Sequence, residues 1–260
     1  MMFISGPVQK VLSSFRHTQI TVHTMLISVN QPATALVFFG GLMNLVNFQL
    51  VDTSNRYNKM FHLDPDSYGN SPLNNQFELM GYGSLYIIQN FGILPITLLI
   101  PIIVGFATWI VVRILGNKKK IWKLDLSKFK EKSQRSLKYG FWISFLDESY
   151  LFLLVCVSLN LRNYFEWRKV GDVLNSLLSL IFAVPLVIFP LFVALFYRKQ
   201  KNYKLIKKND PDFMARYGSV IEGLNFKRKH RWALFYPCLS LLRKLWLAYI
   251  LVFQKDKPVL

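Results

Sequence analysis

Charge is missing from two long stretches of the 260-residue sequence. No Asp, Glu, Lys or Arg occurs between Glu78 and Arg113, or between Asp172 and Arg198. An α-helix needs about 20 apolar residues to cross the hydrocarbon core of a bilayer, and each stretch is longer than that. The absence of charge from both stretches argues against an ordinary soluble protein and predicts an integral membrane protein.

Acidic residues and cysteines are also scarce. The chain has 14 Asp and Glu against 32 Lys and Arg, its net charge is +18, and 52% of its residues are hydrophobic. A hydrophobic fraction this high excludes a disordered chain. The two cysteines, Cys156 and Cys238, lie in apolar stretches, so no disulfide framework is implied. Because the sequence has no Asn-x-Ser/Thr acceptor, glycosylation gives no support for a lumenal or extracellular address.

Residue patterns that carry catalysis or bind metals are lacking. The sequence contains no Gly-x-Ser-x-Gly motif, no glycine-rich phosphate loop and no His-Glu-x-x-His motif. A calcium loop starting at Asp64 fails, because Tyr68 stands where an oxygen ligand is needed and Asn75 where a bidentate Glu is needed. We therefore expect no enzymatic activity, no cofactor and no metal site.

Five apolar segments predict an all-α, multi-pass transmembrane helical bundle at 33–260, after a cytosolic or interfacial N-terminal segment at 1–32. Two of the five each contain a pair of prolines, which kink membrane helices and free backbone groups that neighbouring helices can satisfy. The other three contain polar or charged residues, whose cost the surrounding Leu, Ile and Phe offset. The predicted spans are 33–51, 92–115, 139–159, 173–197 and 232–253.

Basic residues alternate from one predicted loop to the next. Loops 117–138 and 198–231 hold nine and eleven Lys and Arg, whereas loops 52–91 and 160–172 hold two and three. The cytosolic loops of membrane proteins carry an excess of Lys and Arg. The alternation therefore predicts a cytosolic N-terminus, with the plasma membrane and an endomembrane both open as locations.

Ionisable residues inside the predicted spans are the candidate functional residues: Asp147 and Glu148 in the third span, and Arg243 and Lys244 in the fifth. Charges at such depth are costly and usually face a partner or a water-filled cavity. At 1.5 Å per residue, Asp147 and Arg243 lie about 12 and 16 Å from the cytosolic ends of their helices, which permits pairing. Two interpretations stay open: an ion pathway or charged gate, and a structural ion pair that fixes helix packing.

Basic residues beside the spans are candidates for contact with anionic lipid headgroups, because Lys and Arg in such positions more often meet lipid than nucleic acid. In the first basic loop, Trp122, Leu126 and Phe129 have the spacing of one helical face, which predicts a helix in the headgroup layer. We expect the lipid bilayer as partner and no nucleic acid, with a homo-oligomer and a larger membrane assembly both open. The candidate headgroup contacts are Lys118, Lys119, Lys120, Trp122, Lys227, Arg228 and Lys229.

Three groups of short motifs follow one another along most of the chain. They are Leu36-Val-Phe-Phe with Asn44-Leu-Val-Asn-Phe48, then Phe77-Glu-Leu-Met-Gly-Tyr-Gly-Ser84, then Arg216-Tyr-Gly-Ser-Val-Ile-Glu-Gly-Leu-Asn225 with Ala233-Leu-Phe-Tyr and Leu242-Arg-Lys. In these motifs the chain resembles the multi-span C-terminal domain of large ciliate surface proteins. Those proteins carry cysteine-rich or cadherin-like ectodomains, and their membrane domain is similar to transient-receptor-potential-like proteins.

The resemblance implies an integral membrane domain related to cation channels and to fungal flavin-carrier-like proteins. We therefore expect part of a transient-receptor-potential-like cation channel or surface-protein membrane domain; the alternative is a non-conducting anchor or an accessory subunit of a membrane complex. Such domains continue with further helices after the position of Leu260, so the resemblance implies a partial domain. A channel needs a polar or hydrated path between its spans, whereas an anchor packs its charged pairs dry.

Overall fold

The computed structural model describes residues 18–26, 32–46, 54–63, 68–92, 141–163, 167, 169–208, 210–218 and 235–254, with ten isolated residues between 95 and 125. Helices dominate this part of the chain. Residues 18–23 are helical and continue into the 3-10 turn Thr24–Leu26, and a second 3-10 turn is Tyr68–Asn70. The longer elements are α1 Ala33–Val46, α2 Ser54–Phe61, α3 Asn75–Leu79, α4 Ile87–Asn90, α5 Phe141–Asn163, α6 Val170–Arg198, α7 Gln200–Lys207, α8 Pro211–Tyr217 and α9 Tyr236–Phe253.

A short antiparallel pair is the one β element in the described residues. Strands β1 (Lys120–Ile121) and β2 (Leu124–Asp125) pair with Lys120 opposite Asp125. The predicted helical face through Trp122, Leu126 and Phe129 is therefore wrong between 120 and 125. In a helix, Lys119 and Lys123 would lie one turn apart, where like charges are destabilising.

Three helices in the described part of the chain are long and apolar enough to cross a membrane: residues 142–162 of α5, all of α6 and all of α9. They coincide with the third, fourth and fifth predicted spans. Of the first predicted span, α1 covers 14 residues, or about 21 Å, and residues 47–51 lie outside the described part. Most of the second, at 92–115, also lies outside it, although residues 95, 99, 103, 106, 107 and 110 are helical.

Two span boundaries differ from their predicted positions, and side-chain contacts account for both. Helix α5 continues to residue 163 instead of 159, and the Arg162 guanidinium lies 5.9 Å from the ring centroid of Phe253. Helix α6 begins at Val170 instead of residue 173. The Asp172 carboxylate there accepts a hydrogen bond from the Lys169 backbone N–H at 3.2 Å, which is half of a capping box.

Helix α6 buries polar residues near its N-terminal end and exposes apolar residues along its length. Its buried residues include Asp172, Asn175, Ser176 and Ser179, which are all at most 3% exposed. Its exposed residues form an apolar stripe with a repeat of three and four: Val170, Leu174, Leu177, Ile181, Val184, Ile188, Leu191 and Leu195. Such an apolar patch on a soluble protein would attract a partner or aggregate, whereas in hydrocarbon it is the expected lipid-facing surface. Helix α6 therefore has the surface of a transmembrane helix.

The prolines of α6 leave backbone carbonyls without their usual helical donors, because proline has no N–H. Pro190 deprives the Leu186 carbonyl, four residues earlier, of its donor. The Tyr150 hydroxyl of α5 donates a hydrogen bond to that carbonyl at 2.8 Å, and the Tyr150 and Phe189 rings pack beside it with centroids 5.9 Å apart. The expectation that a neighbouring helix satisfies a freed carbonyl is thus confirmed at Pro190.

The short helix α3 ends in a Schellman motif. Gly81 has φ 85°, and the N–H groups of Gly81 and Tyr82 donate to the carbonyls of Glu78 (2.9 Å) and Phe77 (2.8 Å). This turn directs Tyr82 into the interior, where its ring stacks on Phe152 with centroids 5.9 Å apart. A glycine suits this position because an L side chain disfavours the left-handed conformation.

Two compact units make up the chain: residues 1–94, 148–190 and 240–260 form the first, and residues 95–147 and 191–239 form the second. In the second unit, aromatic residues at the C-terminal end of α6 pack against α8. Phe196 packs on Phe213 and Tyr217 of α8, with centroids 6.3 and 4.9 Å away, and the Tyr197 hydroxyl donates to the Tyr217 carbonyl. Asp210 caps α8 by accepting from the Phe213 N–H at 2.8 Å.

In the first unit, α1 approaches the backbone of α3 at one glycine. A Cβ atom on Gly40 would lie 2.8 Å from the Leu79 carbonyl oxygen, whereas a Cβ atom on Gly41 would meet no atom within 4 Å. The two neighbouring glycines therefore provide a test site and its control.

We predict that Gly40→Ala lowers the free energy of unfolding by about 1 to 3 kcal/mol relative to Gly41→Ala, because only the first replacement overpacks the contact. Both replacements gain the same helix propensity, so the difference isolates the clash. Thermal unfolding of the detergent-solubilised protein measures it. Equal melting temperatures for the two variants would show that α1 does not pack on α3 in this way.

Candidate functional site

Five polar residues from distant parts of the sequence gather inside the first unit. Gln19 and His23 come from the N-terminal helical residues, Tyr82 from the turn after α3, Glu148 from α5 and Lys244 from α9. All are at most 5% exposed, and His23, Tyr82 and Lys244 are fully buried. We call these five residues the central cluster.

Hydrogen bonds fix the protonation state of His23. Its Nδ1 lies 2.7 Å from the Gln19 carbonyl oxygen, which can only accept, so Nδ1 carries the proton. Its Nε2 is then the acceptor and lies 2.8 Å from the Tyr82 hydroxyl, which donates. A neutral imidazole with its proton on Nδ1 therefore satisfies both contacts.

Electrostatics favour the same neutral state. Burial lowers the pKa of His23 from 6.5 to about 4, against the opposing effect of the Gln19 carbonyl, and the positive charge of Lys244 adds to the lowering. Desolvation penalises the charged form of any group held away from water. His23 is therefore a neutral bridge between the N-terminal helical residues and Tyr82.

The side chain of Gln19 ties the same N-terminal residues to α5. Its amide nitrogen donates to the backbone carbonyl of Glu148, and its Oε1 accepts no hydrogen bond from the described residues. The donor must be Nε2, because a carbonyl cannot donate. The bond places residues 18–26 beside the part of α5 that carries the predicted intramembrane acid.

The structure separates the two predicted basic residues of α9. Lys244 is fully buried in the central cluster, within electrostatic range of His23, whereas Arg243 is exposed. Consecutive residues of a helix point about 100° apart, so the two cannot face the same neighbours. Pairing of Lys244 with Glu148 stays a prediction, and the exposed side chain of Arg243 makes it the weaker candidate for that role.

The two predicted acids of α5 are both buried, each 5% exposed. Glu148 belongs to the first unit and to the central cluster. Asp147 belongs to the second unit, where it interacts electrostatically with Tyr197 of α6. The depth of both acids in a membrane stays a prediction.

Sequence reasoning missed Gln19, His23 and Tyr82 as members of the site. The N-terminal segment 1–32, which contains Gln19 and His23, is predicted to lie outside the helical bundle. One signal could have identified them: Gln19, Val22, His23 and Leu26 recur at helical spacing, which marks a single buried face with two polar members.

A second set of hydrogen bonds fixes the irregular segment 82–92, of which all but Gly83 is buried. The Tyr86 hydroxyl donates to Asp172 at 3.0 Å, and the Ile88 N–H donates to the Asn175 side chain at 3.4 Å. The amide of Asn160 donates to the Leu85 carbonyl at 3.4 Å. Polar side chains of α5 and α6 therefore hold a segment in which only the short helix α4 is regular, and we call this set the polar clamp.

Further hydrogen bonds belong to the polar clamp. Ser179 donates to the Asn160 side chain at 2.6 Å, and the Asn90 amide donates to the Ser84 carbonyl at 2.6 Å. Asn175 uses its oxygen in the clamp, while its Nδ2 has no acceptor among the described residues. The clamp explains why α6 buries amides and hydroxyls at its N-terminal end.

The described polar residues are linked mainly by hydrogen bonds between helices and to the segment 82–92. Within the described residues, no group of three or more His, Cys, Asp and Glu side chains is placed to hold a metal ion. Of the predicted headgroup contacts, only the backbone of Lys120 is described, in β1. The others, Lys118, Lys119, Trp122, Lys227, Arg228 and Lys229, lie outside the described residues.

We predict that Glu148→Gln and Lys244→Met each lower the free energy of unfolding by about 3 to 5 kcal/mol, because each leaves an opposite charge buried without compensation. The double variant should be much milder than the sum of the two. Arg243→Gln, one residue away on the exposed face, is the control and should have little effect. Thermal unfolding in detergent decides, and a double variant as damaged as the sum would refute the pairing.

We also predict that stability falls with acidity through His23. His23 takes up a proton below pH 6.5 in the unfolded chain but only near pH 4 in the folded protein. The stabilisation from the neutral imidazole is therefore fully present above pH 6.5 and is lost as the pH falls towards 4. The full loss corresponds to about 3 kcal/mol. Melting curves between pH 7 and pH 4 should show a smaller drop for His23→Gln. An identical drop in both proteins would mean that His23 does not titrate in this way.

Comparison with known proteins assigns no family. No protein-family model matches the chain, and neither a curated protein nor a solved structure proves similar to it.

Proposed function

We propose that the chain is a non-conducting, multi-pass membrane protein that serves as an anchor or accessory subunit of a larger membrane complex. The observation that carries this proposal is the burial of three of the four candidate intramembrane charges, all but Arg243. Asp147 and Glu148 are 5% exposed and Lys244 is fully buried. An ion pathway needs charged or carbonyl groups in contact with water or ions, whereas buried charges of this kind suit a packing role.

The exposed apolar stripe of α6 supports contact with lipid, which a membrane anchor needs in addition to its internal packing. Eight residues at helical spacing, from Val170 to Leu195, lie on its surface. Lipid tails cover such a surface without further cost, and polar side chains then drive helix association. We propose the lipid bilayer, with anionic headgroups at the basic loops, as the constant partner of the chain.

A second candidate is the transient-receptor-potential-like cation channel that the motifs suggest. One observation favours it: Glu148 and Lys244 are ionisable residues within membrane helices, and such residues often mark ion or proton pathways. The resemblance implies further helices after Leu260, and a conducting form of the protein would need them to complete its bundle.

We further propose that the spans number five and that the N-terminus is cytosolic. In addition to α5, α6 and α9, this proposal counts segments 33–51 and 92–115 as membrane spans. Support comes from the basic loops, since the nine and eleven Lys and Arg of 117–138 and 198–231 then face the same side.

The orientation predicts that a cysteine placed at Lys207, an exposed residue of α7, is protected from membrane-impermeant thiol reagents on intact cells. A cysteine at exposed Trp167, between α5 and α6, should react. Permeabilised cells, in which both positions should react, are the control. Labelling at 207 together with protection at 167 would show that the orientation is the reverse of the one proposed.

The main test is electrical. We predict that residues 1–260, reconstituted in planar bilayers with potassium or calcium solutions on both sides, insert but give no unitary currents. Insertion follows from apolar helices longer than the bilayer requires, and the absence of current follows from buried charges. Reproducible currents that vanish in Glu148→Gln would defeat the anchor proposal and favour the channel.

A further inference from the structure

Helix α9 presents one charged residue on an otherwise apolar surface. Arg243 is exposed, and its neighbours one turn away on the same face, Leu239 and Trp246, are 61% and 60% exposed. The face continues through Tyr249 and Phe253, whose rings stack with centroids 5.2 Å apart, and Trp246 stacks on Tyr249 at 5.6 Å. We call this surface the Arg243 face.

The position of Arg243 along α9 makes its exposure costly. The helix has 18 residues and therefore spans about 27 Å. Arg243 lies seven residues after Tyr236 and ten before Phe253, which places its Cα about 10 and 15 Å from the two ends. An arginine at the centre of a membrane helix costs about 2.5 to 3.5 kcal/mol on the insertion scale.

Arginines at this depth usually face a bundle interior or pair with another group. The neighbouring Lys244 follows that rule, since it is fully buried in the central cluster, whereas Arg243 points out of the same helix. The guanidinium is a planar donor that matches a carboxylate with two parallel hydrogen bonds. The Arg243 face therefore has the chemistry of a surface that a carboxylate would complete.

A second copy of this chain cannot supply that carboxylate from its described spans. Helices α5, α6 and α9 contain three acidic residues, Asp147, Glu148 and Asp172, and all are at most 5% exposed. A homodimer through these helices would leave Arg243 facing apolar side chains. The described helices of the chain therefore offer no exposed carboxylate for this charge.

We propose that the Arg243 face binds the transmembrane helix of a different protein, one that carries an Asp or Glu near mid-membrane. The carboxylate pairs with Arg243, and the apolar residues of the partner helix pack on Leu239 and Trp246. This inference deepens the proposed role as an accessory subunit and rests on it, because it names the kind of subunit with which the chain assembles.

The test uses a synthetic single-span helix of Leu and Ala with one Glu at its centre, and an identical helix with Gln in its place. The purified full chain and each labelled helix are reconstituted in phosphatidylcholine vesicles, and energy transfer reports association. We expect the Glu helix to bind about tenfold more tightly than the Gln helix. In Arg243→Gln the preference should vanish, while in Arg243→Lys a part of it should persist.

Arg198→Gln, at the cytosolic end of α6, is the matched control because it removes an exposed arginine outside the Arg243 face. It should keep the preference. Melting temperatures check that each variant folds, and Arg243→Lys keeps the charge if Arg243→Gln is unstable.

Equal binding of the Glu and Gln helices would overturn the proposal. So would loss of the preference on addition of phosphatidylserine, which assigns Arg243 to lipid headgroups, and so would Arg243-dependent association of two copies of the chain, which assigns the face to a homodimer. Each of these results leaves the planar-bilayer recordings unaffected. Failure of this inference is thereby distinguishable from failure of the anchor proposal.

Discussion

Backbone groups that leave a helix away from water must find hydrogen-bond partners inside the protein, and much of the described structure follows from that requirement. It explains why the Tyr150 hydroxyl lies against the carbonyl that Pro190 frees. It also explains the polar clamp, in which amide and carboxylate side chains of α5 and α6 hold the segment 82–92 around the short helix α4. In hydrocarbon, water could not replace these bonds, so the protein must supply them.

A similar requirement determines which side chains of the long helices are buried and which are exposed. Helix α6 buries Asp172 and Ser179 and exposes Leu and Val, and α9 buries Lys244 and exposes Trp246. Apolar side chains gain nothing from leaving lipid, whereas polar side chains gain partners by turning inward. The interior of the first unit consequently contains several buried polar side chains that are joined by hydrogen bonds.

Apolar composition was sufficient to predict the helical class and three helices that are long and apolar enough to cross a membrane, of which only α6 coincides with a long stretch without charge. The positions of Glu148 and Lys244 inside long apolar helices also followed from the sequence. The location of residues 18–26 did not, since a short helix with Gln19 and His23 on its buried face resembles an ordinary solvated segment. The opposite exposure of Arg243 and Lys244 was equally hidden: adjacent basic residues look identical in sequence, and only the neighbours of the helix decide which one turns inward.

Helix α6 is long for the bilayer that it would cross. Its 29 residues extend over about 43 Å, compared with about 27 Å for α9 and about 30 Å of hydrocarbon. Hydrophobic mismatch of this size is relieved by tilting, by kinking or by local thickening of the membrane. Pro185 and Pro190 lie near the middle of α6, where a bend would shorten its vertical reach. A membrane-spanning α6 would therefore tilt or bend by different amounts in thicker, sterol-rich membranes and in thinner, sterol-poor ones.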